Sequence, residues 1–298
     1  AAAVCMVPWQ LYKQYGDTKV IAENMETMRL WLDGMDHYDF NGEYTYLSSK
    51  TDGLADWLAM DNNTPPELVN NAIYIYMMEV TAIMADAIGE TEYAGTLRDR
   101  HQKAKEEWNQ FFVDPESGRT KNLEGLIVHS QSSYATPLNF NVFSEKNKLK
   151  AEAYLAELVK EPSTSNTKPD GTRVTYPMRE GALGGFGMNS EQVTEDFLPY
   201  TMTTGFSGTP NILPSLSRGG KVDEAYKLFS STDYTSWLYP VTKGATSIWE
   251  RWNGFKAAFK ENNENRMNSF NHFALGAVGQ WMYEFQLGIT TDHQKGEA

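Results

Sequence analysis

Apolar residues at helical spacing, arriving in pairs of segments joined by glycine-marked turns, constrain this chain more than any other feature. Val4, Val7, Leu11 and Tyr15 share one helix face, and Gly16-Asp17-Thr18 then supplies a C-terminal glycine and an N-cap for a second helix. Ile21, Met25, Met28, Leu32 and Met35 continue the pattern there. It returns at 68–88 and 93–112 across Gly89-Glu90-Thr91, at 131–143 and 146–160, and on both sides of Gly219-Gly220. Met77 and Met78 read as packing residues. A last helix is expected over 272–287, capped by Asn271 or Ser269. Tight turns between antiparallel helices stack hairpin beside hairpin, so the expected fold is all-α, a toroid of helical hairpins whose inner helices line a groove. The stretch 40–66 reads as an aromatic loop and 126–128 as extended, while 163–189 reads as a Ser-, Thr-, Pro- and Gly-rich connection with a Pro169-Asp170-Gly171 turn.

The charge balance narrows the partners. With 26 Lys and Arg against 39 Asp and Glu, the formal charge of -13 repels phosphate backbones and anionic membrane surfaces, so no nucleic-acid partner is expected. No run approaches the roughly 18 to 20 apolar residues of a membrane span, and the chain reads as soluble. The single Cys5 forms no internal disulfide, which leaves periplasm, exterior and cytoplasm open. Ala1-Ala2-Ala3-Val4-Cys5 lacks the basic and apolar regions of a signal peptide and reads as the interior of a longer chain. Asp33, Asp36, His37 and Asp39 read as solvated helix-end charges rather than a metal site. His129 has no evident partner, and Gly181-Ala182-Leu183-Gly184-Gly185-Phe186-Gly187 lacks the ending of a nucleotide loop.

Chemistry concentrates near the C-terminus. Gly244-Ala245-Thr246-Ser247-Ile248-Trp249-Glu250-Arg251-Trp252-Asn253-Gly254 sets one carboxylate between two tryptophans and against an arginine, a composition suited to a sugar site. Asp56-Trp57 offers a hydroxyl acceptor beside an apolar platform, although a cap beside a core tryptophan satisfies the same residues.

Several segments together carry a likeness to a known family. Pro8-Trp9 with Tyr15-Gly16-Asp17, Asp56-Trp57-Leu58, Thr203-Thr204-Gly205-Phe206 with Gly208-Thr209-Pro210, Ser236-Trp237, the Gly244 to Trp252 run, and Ser269-Phe270-Asn271-His272 with Ala274-Leu275-Gly276 resemble family-78 glycoside hydrolases, the α-L-rhamnosidases. The likeness extends from about residue 1 to 289, leaving 290–298 as a polar tail; it is most specific in the second half and slight over 113–195.

The resemblance implies an (α/α)6 barrel and an inverting hydrolase of terminal α-L-rhamnosides, acting on a rhamnose-containing glycoside or polysaccharide without metal or other cofactor. Such an enzyme sets a general acid and a general base roughly 6.5 to 9.5 Å apart on opposite faces of the sugar. Glu250 matches the family's base, with Arg251 favouring its charged form. His272 matches a histidine on a sugar hydroxyl, although capping or packing is an alternative for it. Asp56 and Trp57 match a loop at the sugar pocket, where Trp57 walls the 6-deoxy methyl group. Trp237 and Trp249 are further lining candidates. The family's acid motif, Glu-Arg-x-Gly-Trp-x-Gly-Asp, is absent, and the helices are fewer than six hairpins require. The chain is thus expected to be the larger, C-terminal part of the barrel at 1–289, to carry the base without the acid, to be inactive alone, and to follow further domains. Another α/α-toroid glycosidase and a non-catalytic carbohydrate-binding domain are the alternatives.

Overall fold

The computed structural model describes residues 2–35, 37–40, 43–48, 56–60, 64–162, 166–167, 173–174, 198–252, 254 and 268–290. Asp36, the 52–55 segment, the glycine-rich run 181–187 and the tail from 291 lie outside them.

Eight helices make four hairpins: α1 (Ala3–Tyr15) with α2 (Thr18–Asp33), α3 (Pro66–Ala87) with α4 (Thr91–Phe112), α5 (Gln131–Asn139) with α6 (Glu145–Lys160), and α7 (Thr209–Arg218) with α8 (Val222–Ser230). α1 packs on α3, α3 on α5 and α5 on α7, so the first member of each hairpin belongs to an inner row and the second to an outer one. Burial follows the expected face in α2, where Ile21, Met25, Met28 and Leu32 are buried, but not in α1, where Cys5, Pro8 and Trp9 are buried and the expected face leaves Val7 and Tyr15 exposed. α3 buries residues on several faces, including Leu68, Val69, Ile75, Met77, Met78 and Met84, whereas α4 buries the stripe Ala94, Leu97, Ala104, Trp108 and Phe112 and turns its charges outward. Each fully buried side chain such as Leu68 or Ile75 contributes about 1.5–3 kcal/mol. By length and composition α3 is apolar enough to cross a membrane, against the expectation of no such run; 72% of its most apolar window is buried, the pattern of a core helix.

The first turn forms as its residues require. Gly16 takes φ 66° and its N–H closes on Tyr12 O, and the Asp17 carboxylate accepts from the N–H groups of Lys19 and Val20.

Four local expectations are corrected. First, the 40–66 loop begins as strand: β1 (His37–Phe40) pairs antiparallel with β2 (Glu43–Ser48), so His37 and Asp39 are strand residues and not helix-end charges. Leu47 and Thr45 bury toward the hairpin α3–α4, and the Asn71 side chain both accepts from Ser48 N–H at 2.7 Å and donates to Ser48 O at 3.2 Å. Asp33, at the end of α2, pairs with Arg100. Second, α5 stops at Asn139 and not near 143. Asn141 adopts φ 52°, a left-handed state that Asn tolerates, and this turns Val142 and Phe143 into the core. Third, the final helix is broken into α10 (Phe273–Gly276), α11 (Val278–Trp281) and a π-helical turn (Met282–Gln286); Gly276 and Gly279 lower its helix propensity. Its cap is neither Asn271 nor Ser269 but His272, whose Nδ1 accepts from Ala274 N–H at 3.2 Å. Fourth, His129 has a partner, Tyr134 Oη at 2.9 Å. The remaining elements are β3 (Asn166–Thr167) paired with β4 (Arg173–Val174), and the short α9 (Leu238–Thr242).

Candidate active site

The segments that lead into the inner helices come together at one end of the molecule. Met60 N–H donates to Thr203 O and Phe206 N–H to Trp57 O, both at 2.8 Å, joining the 56–60 loop to the approach of α7. The approach of α5 is tied in by Gln131, whose buried amide accepts from Thr203 N–H at 2.8 Å and donates to Leu158 O and Thr201 O. Thr64 and Ser130 share a 2.6 Å hydroxyl contact. The Phe206 ring then meets the His272 ring at 4.8 Å, bringing the C-terminal segment to the same place.

A crevice opens at this junction, lined by Leu58, Met60, Thr204, Gly205, Phe206, Tyr234, Glu250, Arg251, Trp252 and Leu275, with about 20 Å³ of interior. That is room for one water molecule, which requires at least about 10–15 Å³. Glu250 is held there by its main chain: its N–H donates to Ser269 O at 2.8 Å, His272 N–H donates to Ile248 O at 2.9 Å, and the Ser247 hydroxyl donates to Phe270 O. Among the described residues, no hydrogen bond or ion pair engages the Glu250 carboxylate, and Glu250 is one of the residues that line the crevice.

The other candidates separate by placement. Asp56, expected to accept a sugar hydroxyl, is 7% exposed, and its two oxygens already accept four hydrogen bonds from Ser132, Gly205, Ser207 and Gly208. A carboxylate has about four acceptor sites, so these four donors take up the capacity that a sugar hydroxyl would use. Trp57 is partly exposed and is not among the crevice-lining residues, and its carbonyl accepts from Phe206 N–H. Trp237 donates from its indole N–H to Leu275 O at 2.9 Å and meets Trp252 edge to face at 6.0 Å. Trp249 is buried against Phe270 and Gly254. Both rings pack beside the Glu250 segment, Trp237 on Trp252 and Trp249 on Phe270. His272 uses Nδ1 as a cap, which fixes Nε2 as the ring nitrogen available to a ligand. Its ring is flanked by Phe206 and Phe273.

Sequence reasoning passed over Leu58, Met60, Tyr234 and Leu275 as lining, and Ser132 as a partner of Asp56. The Gly205 and Gly208 spacing was the available signal. A Cβ on Gly205 would stand 2.3 Å from Trp57 O and 2.4 Å from Asp56 O, and one on Gly208 would stand 2.1 Å from Ser132 Oγ.

A second cavity of about 370 Å³ lies among Tyr76, Glu79, Asn139, Lys148 and Arg218, toward the C-terminal ends of α5 and α7 and away from these loops. No group of three or more metal-binding side chains occurs among the described residues.

Helical hairpins in an inner and an outer row, with the segments leading into the inner helices meeting at one crevice, are the architecture of an α/α toroid. The chain belongs to the bacterial alpha-L-rhamnosidase 6 hairpin glycosidase domain family, whose model matches residues 1–169 and 192–285. An alpha-L-rhamnosidase of Formosa agariphila is 30% identical over 292 residues, covering 96% of this chain and 27% of that protein. One of Streptomyces avermitilis is 29% identical over 285 residues, covering 95% and 22%. The crystal structure of the Streptomyces avermitilis alpha-L-rhamnosidase complexed with L-rhamnose superposes with a TM-score of 0.74 at 28% identity, over 97% of this chain and 23% of that one. That of the Aspergillus terreus enzyme gives a TM-score of 0.70 at 25% identity. The chain thus spans about a quarter of the length of the relatives it matches.

Proposed function

We propose that this segment forms most of the catalytic barrel, residues 1–289, of an enzyme that hydrolyses terminal α-L-rhamnosides with inversion at the anomeric carbon, with 290–298 as a tail. Glu250 is the general base. Its carboxylate takes a proton from a water molecule as the water oxygen bonds to C1; the C1–O bond to the aglycone breaks on the opposite face, and a carboxylic acid protonates the departing oxygen. Among the described residues that line the crevice, Glu250 is the carboxylate; because the family's acid motif is missing from the sequence, this reading assigns the acid to a residue of the longer protein and takes the chain by itself to be inactive. Residue 272 presents Nε2 to a sugar hydroxyl, and Trp57 walls the apolar edge of the 6-deoxy sugar. No cofactor takes part.

The observation that carries this reading is Glu250 lining a water-sized space with no partner on its carboxylate among the described residues, on a segment pinned by its main chain to residues 269–272. Glu250→Gln in the full-length protein tests it on an aryl α-L-rhamnoside. Turnover should fall by about 10²–10⁴ with rhamnose binding retained, the range for a lost general base. Unchanged turnover excludes the role.

A further inference from the structure

Asp56 sits where three parts of the chain meet: the 56–60 loop, the first turn of α5 and the turn into α7. Oδ2 accepts from Gly205 N–H at 2.9 Å and from the Ser132 hydroxyl; Oδ1 accepts from Ser207 N–H at 2.9 Å and Gly208 N–H at 2.8 Å. Three of these donors are main-chain groups that cannot rotate away or accept in return, so the carboxylate and the backbone at 205–208 fix each other. The close approach depends on glycine at 205 and 208, where any Cβ would collide with atoms of Asp56, Trp57, Thr204 or Ser132.

What Asp56 fixes is the crevice wall. Leu58 and Met60 follow it directly, and Thr204, Gly205 and Phe206 lie beside or carry its donors. Leu58 holds φ 62°, a left-handed conformation that is unfavourable for a non-glycine residue and persists only where surroundings enforce it. The Phe206–Trp57 and Met60–Thr203 main-chain bonds close the loop on both sides of Leu58.

We propose that Asp56 is a positioning residue: its carboxylate clamps the 56–60 loop to the turn into α7, and so sets the wall that Leu58, Met60 and Phe206 share with Glu250, without touching the sugar. The proposal rests on the reading of the crevice as a hydrolase site. Burial raises the Asp56 carboxyl above its ordinary range, and the four donors oppose that shift by favouring the charged form. Glu250 hangs from a different segment, through Ser269, so a loosened clamp moves the wall while the base keeps its support.

Asp56→Asn and Ser132→Ala in the full-length protein separate the possibilities. An Asn amide group placed at Oδ2 faces Gly205 N–H, and placed at Oδ1 faces two N–H groups, so at least one main-chain donor loses its acceptor either way. Ser132→Ala removes a single donor and keeps the charge; it is the gentler variant should the Asn protein not fold. Amide hydrogen exchange over 205–208 and the kcat and KM on an aryl α-L-rhamnoside are read together. The clamp is expected to give faster exchange at Gly205, Ser207 and Gly208, with KM raised about tenfold for Asn and about threefold for Ala, and an unmoved pH dependence of kcat. A merely structural role lowers the amount of folded enzyme and leaves KM where it was. Unchanged KM in the variants that fold, or unchanged exchange, overturns the clamp. Should the parent enzyme turn over no α-L-rhamnoside, the rhamnosidase reading falls by itself, and the exchange at 205–208 alone decides the clamp: lost protection supports it and retained protection overturns it.

Discussion

The main-chain N–H of Glu250 donates to the carbonyl of Ser269 at 2.8 Å, and the His272 N–H donates back to the carbonyl of Ile248 at 2.9 Å. The proposed base and the proposed sugar-contacting histidine therefore belong to one paired unit, and Trp237 packs edge to face on Trp252 beside it. Displacing either strand of the unit displaces both groups.

The proposed function gives His272 two tasks through two nitrogens, and substitution separates them. Asn at 272 keeps a short side-chain acceptor for Ala274 N–H and removes Nε2; Ala removes both. Ala should lower stability by up to about 1 kcal/mol, the worth of an N-cap. Both variants should raise KM for a rhamnoside, Asn without the stability loss. Denaturant melts with steady-state kinetics check this, and a parent-like KM in the Asn variant removes the sugar contact from His272.

Gly205→Ala tests the close packing of the α7 approach on the 56–60 loop. Its Cβ would stand 2.3 to 2.5 Å from main-chain atoms of Trp57, Asp56 and Ala59, and backbone cannot yield as a side-chain tip does. A loss of about 3 kcal/mol or failure to fold is expected, at the upper end for overpacking. Urea denaturation gives the value, and a loss under about 0.5 kcal/mol, the scale of a neutral surface change, contradicts the packing.

Acid should weaken the fold partly through His129. Burial, with a smaller contribution from Arg119, lowers its pKa from 6.5 to about 4. Between those values the unfolded chain binds the proton and the folded one does not, so stability is full above pH 6.5 and falls as pH drops through the window. His129→Phe retains a ring against Tyr134 and Tyr154 and abolishes the titration. The variant's denaturation midpoint should lose less between pH 6.5 and 4 than the parent's; parallel pH profiles contradict the assignment.

The hairpins were legible because each depends on local signals: periodic apolar faces, Gly16 with Asp17, and Pro66 at the first turn of α3. The inner and outer rows are visible afterwards in the contrast between α3, buried on several faces, and α4, buried along one stripe. The β1–β2 hairpin was missed because its stability comes from α3 and α4, through Asn71 and through Glu107, which accepts from Tyr46 N–H at 2.6 Å. At the site, the Glu250 segment stands out by composition and resemblance. The roles of Asp56, Trp237 and Trp249 depend on which distant groups meet them, among them Ser132 and Leu275, and chain order carries no record of those meetings.

The base role of Glu250 is tested most directly by replacing it in the full-length protein with Gly and supplying azide. An azide ion in the vacated space needs no deprotonation and bonds to C1 from the water's side while the acid protonates the departing aglycone. Turnover should be lost without azide and recover with it, and proton NMR should show the rhamnosyl azide with the anomeric configuration inverted to β. Undiminished hydrolysis without azide, or an α-configured azide product, contradicts Glu250 as the base of an inverting rhamnosidase.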